Sequence, residues 1–377
     1  MSKNEQTTVL PGQTDKGEYI LSVLLKRSYH IRPEKKCLRM AKDRKLNPGD
    51  IHYDGPMNSS VQFESDFVPY KLKTDVVLNG NAYAYPEESP VYQITASLII
   101  DNIVRKDILV TGNRQCIYRP RQLPEFTDPT PFETIPIIYE NAYGGIDVFY
   151  KVDILSSNEN VQSAGYPANH LGKGFVMNNK KEAIQNLPLP NIENPNDLIT
   201  PERLVVKSII NNQWEEQPEP QGFGWVSKFW QPRASLAGVM PADLPFFNQM
   251  KEEYAKHIPS EKDKKDYEKS MEEFPMMDFN FFNGASSGMS FDYLKGNETI
   301  RLTHLHPDGE ISFQLPGGQP KIDLDIGIET QSPDDVVLHT IMICIEQMQV
   351  DLVWRKAFIY PGPEWLKDMK KMEVTIL

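Results

Sequence analysis

VYQITASLII, residues 91 to 100, alternates along its length: Tyr92, Ile94, Ala96, Leu98 and Ile100 fall on one side of an extended chain, and Val91, Gln93, Thr95 and Ser97 on the other. A period of two is the signature of a half-buried strand, since successive Cβ atoms point to opposite faces. TDVVLNGNAYAY (74–85) precedes it, and IVRKDILVTG (103–112) follows a short Asp101-Asn102 turn. The three together predict an antiparallel meander. EYILSVLLKRSYHI (18–31) and VQFESDFVPYKL (61–72) read as further strands of the same N-terminal sheet.

The C-terminal third carries the same texture. TIRLTHLHPDGEISFQLPG predicts a hairpin, with strands at 299–305 and 311–315 around a Pro307-Asp308-Gly309 turn. KIDLDIGIE sets Ile322, Leu324, Ile326 and Ile328 on one face, and VVLHTIMICIE with MQVDLVWRKAFIY completes a second meander. In the last strand Val350, Leu352 and Trp354 face one way, Asp351 and Arg355 the other. The expected fold is therefore mainly β, a β-rich α+β class, with antiparallel meanders or a sandwich, long ordered loops and a short helical insertion.

The 377 residues include 30 prolines, about 8% against a usual 5% or so. Proline removes a backbone donor and breaks helices, which favours strands and turns. Residues 113–245 are rich in Pro, Asn and Gly, yet carry Tyr139, Tyr143, Phe149, Phe175, Trp214, Phe223, Trp225, Phe229 and Trp230. Disordered linkers lack such aromatics, so these loops either cover the sheets or offer a partner a surface. The charged stretch 246–274 predicts two solvated helices interrupted near Pro259, packing by Phe246, Phe247, Tyr254 and Phe274. The organisation expected is a flexible N-terminus (1–14), then a single domain over 15–360, then a C-terminal tail (361–377). Within the domain lie an N-terminal β block (15–112), the loop-rich middle (113–245), the helical insertion (246–274) and a C-terminal β block (275–360).

A net charge of −12 gives no basic footprint for nucleic acid and favours a basic partner. No apolar run of about 18 residues predicts a membrane span. Cys37, Cys116 and Cys344 form neither a disulfide framework nor a zinc spacing. With no secretory n-region or apolar run at the start, the expected address is the cytoplasm. No cofactor is expected.

Motifs that could carry chemistry each have a plainer account. GYPANHLGKGF (165–175) holds a Gly-Lys-Gly, but Gly174 stands where a phosphate loop needs Ser or Thr. His304 and His306 alternate on one strand, so both imidazoles are expected on one side, a weak metal pair with Glu310 as a conceivable third ligand. GASSGMS (284–290) resembles a nucleophile elbow only in composition. Asp323 and Asp325 share a solvated strand face, while Glu140 sits beside tyrosines and a double glycine in YENAYGG. WVSKFWQPR (225–233) packs two tryptophans, a phenylalanine and an arginine into nine residues, the types that dominate binding hot spots.

Taken in order, LKTDVVLNGNAYAY, YENAYGGID, NHLGKGF, LPLPNIENPNDLI, GFGWVSKFWQPRASLAG and PMMDFNFFNGA, with LTHLHPDGEISFQLPG and LHTIMICIEQMQVDLVWR, resemble one family. It is the one catalogued as domain of unknown function 2169, found in bacterial type VI secretion gene clusters. The resemblance spans roughly residues 15 to 360. Its recurrent positions fall on Thr74-Asp75, Asn79-Gly80, Tyr139-Glu140, Tyr143-Gly144-Gly145, Asn169, Gly172-Gly174, Leu189-Pro190-Asn191, Gly222-Phe223-Gly224, Trp230 and Arg233. It implies a non-enzymatic cytosolic adaptor or chaperone. Such a protein would stabilise a secreted effector toxin and help load it onto the valine-glycine-repeat spike or its tip, and no catalytic residue is carried over. The tail after Trp354 is longer than the family pattern, and 251–273 departs from it. Tyr143, Phe223, Trp225, Phe229, Trp230 and Arg233 are then the candidate partner-binding residues. Two alternatives belong to other classes: a metal- or carboxylate-dependent hydrolase using His304, His306 and Glu140, and an exported structural component of the spike.

Overall fold

The computed structural model of the protein describes residues 6–56, 58–85, 90–101, 104–152, 162–209, 214–265, 275–368 and 372–377. A seven-stranded and a five-stranded sheet dominate it. Their strands, in chain order, are β1 (Thr7–Gln13), β2 (Tyr19–His30), β3 (Leu38–Arg39), β4 (Thr74–Asn79), β5 (Gln93–Ile100), β6 (Val104–Thr111), β7 (Ile192–Glu193), β8 (Ser290–Phe291), β9 (Thr299–His306), β10 (Gly309–Gln314), β11 (Val337–Cys344) and β12 (Gln349–Ile359). The large sheet runs β1-β2-β12-β11-β4-β8, with β3 added to β2, and the small one β7-β6-β5-β9-β10.

The chain is mainly strand, as its alternation and proline content demand. The opening stretch behaves as read: β5 pairs with β6 from Gln93↔Thr111 to Ile100↔Val104. Ile94, Ala96, Leu98 and Ile100 enter the core, while Tyr92 lies before the strand and is exposed. The expected third member of that meander does not join it. β4 leaves for the large sheet, where it runs parallel to β11. The hairpin β9–β10 forms, but β9 docks on β5 from the N-terminal block. The two meanders read along the chain are thus two sheets, each drawing strands from both ends.

One apolar cluster joins the sheets. Leu21, Val23 and Leu25 of β2, Val76 and Leu78 of β4, and Leu352 and Trp354 of β12 meet Ala96, Leu98, Ile108, Leu302 and Phe313 from the five-stranded sheet. Two sheets sharing one dry interior is sandwich packing. The loop-rich middle builds a separate core from Tyr143, Tyr166, Phe175, Ile184, Leu189, Leu204 and Trp214, with the rings of Tyr143 and Tyr166 edge to face at 5.0 Å.

Three further expectations change. Residues 7–13, read as flexible, pair with β2 from Thr7↔Leu25 to Gln13↔Tyr19. The C-terminal tail contributes a strand: Glu373–Ile376 pairs antiparallel with Ile322–Asp325, in which Ile322 and Leu324 are buried and Asp323 and Asp325 exposed, as their alternation requires. The insertion begins with the helix Leu244–Ala255, on which Phe246 and Tyr254 are exposed. Phe274 lies outside the described residues.

Candidate functional site

The face of the large sheet turned away from the sandwich core carries polar residues, and it is buried. Polar groups taken from water need partners, and a layer of loops supplies them. The Asp75 carboxylate accepts from Lys71 Nζ at 2.7 Å, Asn283 Nδ2 at 3.0 Å, Gly284 N at 3.1 Å and Ser290 Oγ at 2.7 Å. Thr74 Oγ1 donates to Leu338 O at 2.7 Å. Lys71 also lies 5.1 Å over the Trp225 ring. Arg233 donates to Glu64 Oε1 at 2.5 Å and to the carbonyls of Val226 and Phe281 at 2.6 and 2.8 Å. Burial raises the Glu64 carboxyl above its usual range, with the Arg233 charge opposing. Lys26 pairs with Asp66 at 2.5 Å, and Glu140 accepts from Ser60 N and Oγ at 2.8 and 2.7 Å.

These pairs fix the 44–66 segment and the 225–233 loop over the sheet, and between them a cavity of about 600 Å³ remains. That volume is within the range of small-ligand sites. The sheet contributes Lys26, Thr340, Met342, Cys344 and Asp351, the overlying segment Arg44, Ile51, Tyr53, Phe63, Glu64 and Asp66, and the loop Trp225. Arg44 Nη1 reaches Cys344 Sγ at 3.2 Å and Asp351 Oδ2 at 3.5 Å. Burial raises the Cys344 thiol and pushes the Tyr53 hydroxyl well up, so neither ionises near neutrality. Glu64 Oε2 and Trp225 Nε1 are buried without a hydrogen-bond partner among the described residues.

Of the six partner-binding candidates, five are interior. Tyr143 and Phe223 are buried, Trp225 lines the cavity and Arg233 closes the Glu64 pair. Trp230 is 3% exposed, packed edge to face on Tyr139 at 5.4 Å, with its Nε1 donating to His170 Nδ1 at 3.1 Å. Only Phe229 among the six is open to solvent, at 79%. The hot-spot composition of 225–233 is therefore mostly a clamp, because its apolar rings and guanidinium serve burial as readily as binding. Phe229 stands beside Lys228, whose ammonium pairs with Asp50 at 2.8 Å. That pair joins its loop to the segment bearing the exposed Ile51 and Tyr53.

NHLGKGF is also structural. Tyr143–Gly144 pairs in parallel with Lys173–Gly174, and Asn169 Nδ2 donates to Tyr139 O at 2.8 Å and Tyr143 O at 3.0 Å. A Cβ on Gly144 would meet Asn169 O at 2.0 Å, and one on Gly172 would meet Ala142 O at 2.5 Å. Lys173 donates to Asn141 Oδ1 and Asn191 Oδ1, both at 2.8 Å, and burial lowers its ammonium. YENAYGG, NHLGKGF and LPN are thus three sides of one crossing, with the lysine spent inside it.

The residues of the hydrolase alternative are held apart in separate contacts. The register shifts between Leu302 and His306, and His304 has φ +58°. Leu302 and Leu305, three apart, both enter the core, so the bulge breaks the alternation on which a shared imidazole face depended. His304 stacks on Tyr85 at 3.9 Å, and His306 Nδ1 accepts from Asp308 N at 3.2 Å. Glu310 lies near Arg301, at 3.4 Å. Among the described residues no group of three or more His, Cys, Asp or Glu could hold a metal ion. In GASSGMS, Ser286 is buried and its Oγ accepts from Lys106 Nζ at 3.0 Å. Sequence reasoning missed the cavity itself, since its walls come from six separate parts of the chain and no single motif spans them.

A two-sheet β protein with a polar sheet face sealed by loops is the class that this architecture defines. A family model described as "Uncharacterized protein conserved in bacteria (DUF2169)" matches residues 16–355, and the chain belongs to that family. No curated protein and no solved structure matches it. Among the described residues no helix is long and apolar enough to cross a membrane.

Proposed function

We propose that the protein is a non-enzymatic adaptor that holds a protein client, the client being a type VI secretion effector on its way to the spike. The client class comes from the family resemblance. The observation that carries the binding role is a group of exposed apolar side chains on tied-down segments. Ile51 and Tyr53 line the cavity and are exposed, and Phe229 stands exposed on the loop that the Asp50–Lys228 and Glu64–Arg233 pairs tie to their segment. An apolar surface fixed before contact spends little entropy on binding, and occupying it would shield a client's own apolar surface. The net charge of −12 suits a basic client and long-range steering.

The test is capture of the tagged chain from the lysate of its own bacterium. Near-stoichiometric recovery of a spike protein or of a toxin encoded beside it, reduced at least fivefold by Phe229→Ala, is the expected result. Recovery of the chain alone overturns the reading, and recovery from culture supernatant in place of cells favours an exported spike component.

A further inference from the structure

We propose that the outer edge of β1 is an interface between two copies of this chain, which pair it antiparallel across a two-fold axis and so join their large sheets. What the edge offers is backbone. Lys26 N donates to Gln6 O and Thr14 N to Glu18 O, both at 2.9 Å, which fixes the phase of the β1–β2 ladder. Thr8, Leu10 and Gly12 bond to β2, while Thr7, Val9 and Pro11 turn their backbone polar groups outward. Those outward groups have no backbone partner among the described residues. The other edges of the two main sheets are closed or brief. Residues 34–37 cap β10, with Glu34 N to Ser312 O at 2.7 Å, Gln314 N to Lys35 O at 3.1 Å and Cys37 N to Gln314 O at 2.8 Å, and β7 and β8 have two residues each. An open edge is commonly guarded by charge, yet residues 7–14 carry none, so no like charges meet across the axis.

Pro11 selects the register. With the axis on Val9, each Val9 N–H meets the Val9 C=O of the other copy, and each Thr7 N–H meets the other copy's Pro11 C=O. Every outward donor is then satisfied, and the N–H that proline lacks leaves open only the Thr7 C=O, the kind of group that tolerates it best. An axis on Pro11 would set two residues without donors opposite each other. The strand is fixed before contact, because Val9 packs into the sandwich core and Leu10 on Leu24, Leu46 and Val353. Four backbone bonds are fewer than a typical interface carries, and apolar area stands at one end of the edge. Gln13 Oε1 accepts from Ala242 N at 3.0 Å, and the helix that starts at Leu244 holds Phe246 and Met250 exposed. Two chains of net charge −12 repel, so the pairing is weak and strengthens with salt.

The experiment uses the full chain without any client, so its outcome is independent of whether an effector is ever captured. Sedimentation from about 1 to 200 μM should show monomer passing to dimer, further at about 0.5 M than at about 0.05 M NaCl. Amide exchange read by NMR at both ends of that range locates the contact. Thr7 and Val9 N–H should exchange about fivefold slower or more in the concentrated sample, with Thr8 and Leu10 unchanged. Val9→Pro removes an outward N–H and no bond to β2, and should raise the dissociation constant about tenfold while Thr8 and Leu10 stay protected. Should that variant loosen β1, Met250→Lys on the exposed helix should weaken the dimer several-fold without touching the strand. A monomer at every concentration and salt overturns the proposal. So does a dimer in which Thr7 and Val9 exchange as fast as in the monomer, which would place the contact elsewhere, or protection of both in the dilute monomer, which would mean that the edge is already covered.

Discussion

Phe229 and Trp230 are neighbours in the chain, and one is 79% exposed while the other is 3% exposed. The side chains differ in what they touch, so their truncations should separate. Trp230→Ala opens a cavity beside Tyr139 and orphans His170, and should cost about 3–5 kcal/mol in denaturant unfolding. Phe229→Ala should stay within about 0.5 kcal/mol. His339 on β11 is a second residue whose setting decides its behaviour. It is buried, its Nε2 has no partner among the described residues, and burial with the Lys71 and Arg355 charges holds its pKa well below 6.5. The folded state therefore refuses a proton that the unfolded state accepts, so stability is full above about pH 6.5 and falls as pH drops through that value. The loss approaches about 1.4 kcal/mol per pH unit. His339→Leu should flatten the acid limb relative to the parent when denaturation midpoints are compared from pH 7.5 to 5.5; parallel curves would refute this. Neither residue's environment was legible locally: an aromatic in a Pro-rich loop has no period to say which ring turns inward.

Elements show where local pattern is a sufficient guide and where it fails. The β9–β10 hairpin follows from Pro307-Asp308-Gly309 between alternating runs, and it is present. The bulge at His304 is invisible in the same residues, because the extra length is absorbed by one positive φ, just past the last residue paired with β5. The crossing of YENAYGG with NHLGKGF was legible as glycine spacing but not as geometry. Its tolerance should be narrow. Gly144 has φ +147° and no room for a Cβ, whereas Gly49 has nothing within 4 Å of one. Gly144→Ala should cost on the order of 3 kcal/mol, and Gly49→Ala about nothing, as read by thermal unfolding. Equal effects would mean that the crossing yields easily.

At the scale of the whole molecule, the ends of the chain lie side by side. β2 pairs with β12 over eleven positions, from Ile20↔Ile359 to His30↔Gln349, and β9 closes on β5. Neither sheet can form from one half, so fragments 1–209 and 210–377 should each lack fixed tertiary packing by near-UV circular dichroism. Mixed, they should regain it. Slow amide exchange in β2, β4, β11 and β12 should likewise be lost together on destabilisation. By itself the sequence determined the β class, most strand positions, the β9–β10 and β11–β12 hairpins and the family, because alternation, turn residues and motif order are local properties of a chain. Only the tertiary structure decided that Asp75, Asp351 and Arg355 are interior, that most of WVSKFWQPR is a clamp, and that a charged cavity lies beneath 44–66. The reason is physical: a strand alternates in the same way whether its polar face meets water or a layer of loops, and which of the two it meets is settled by pairings hundreds of residues apart.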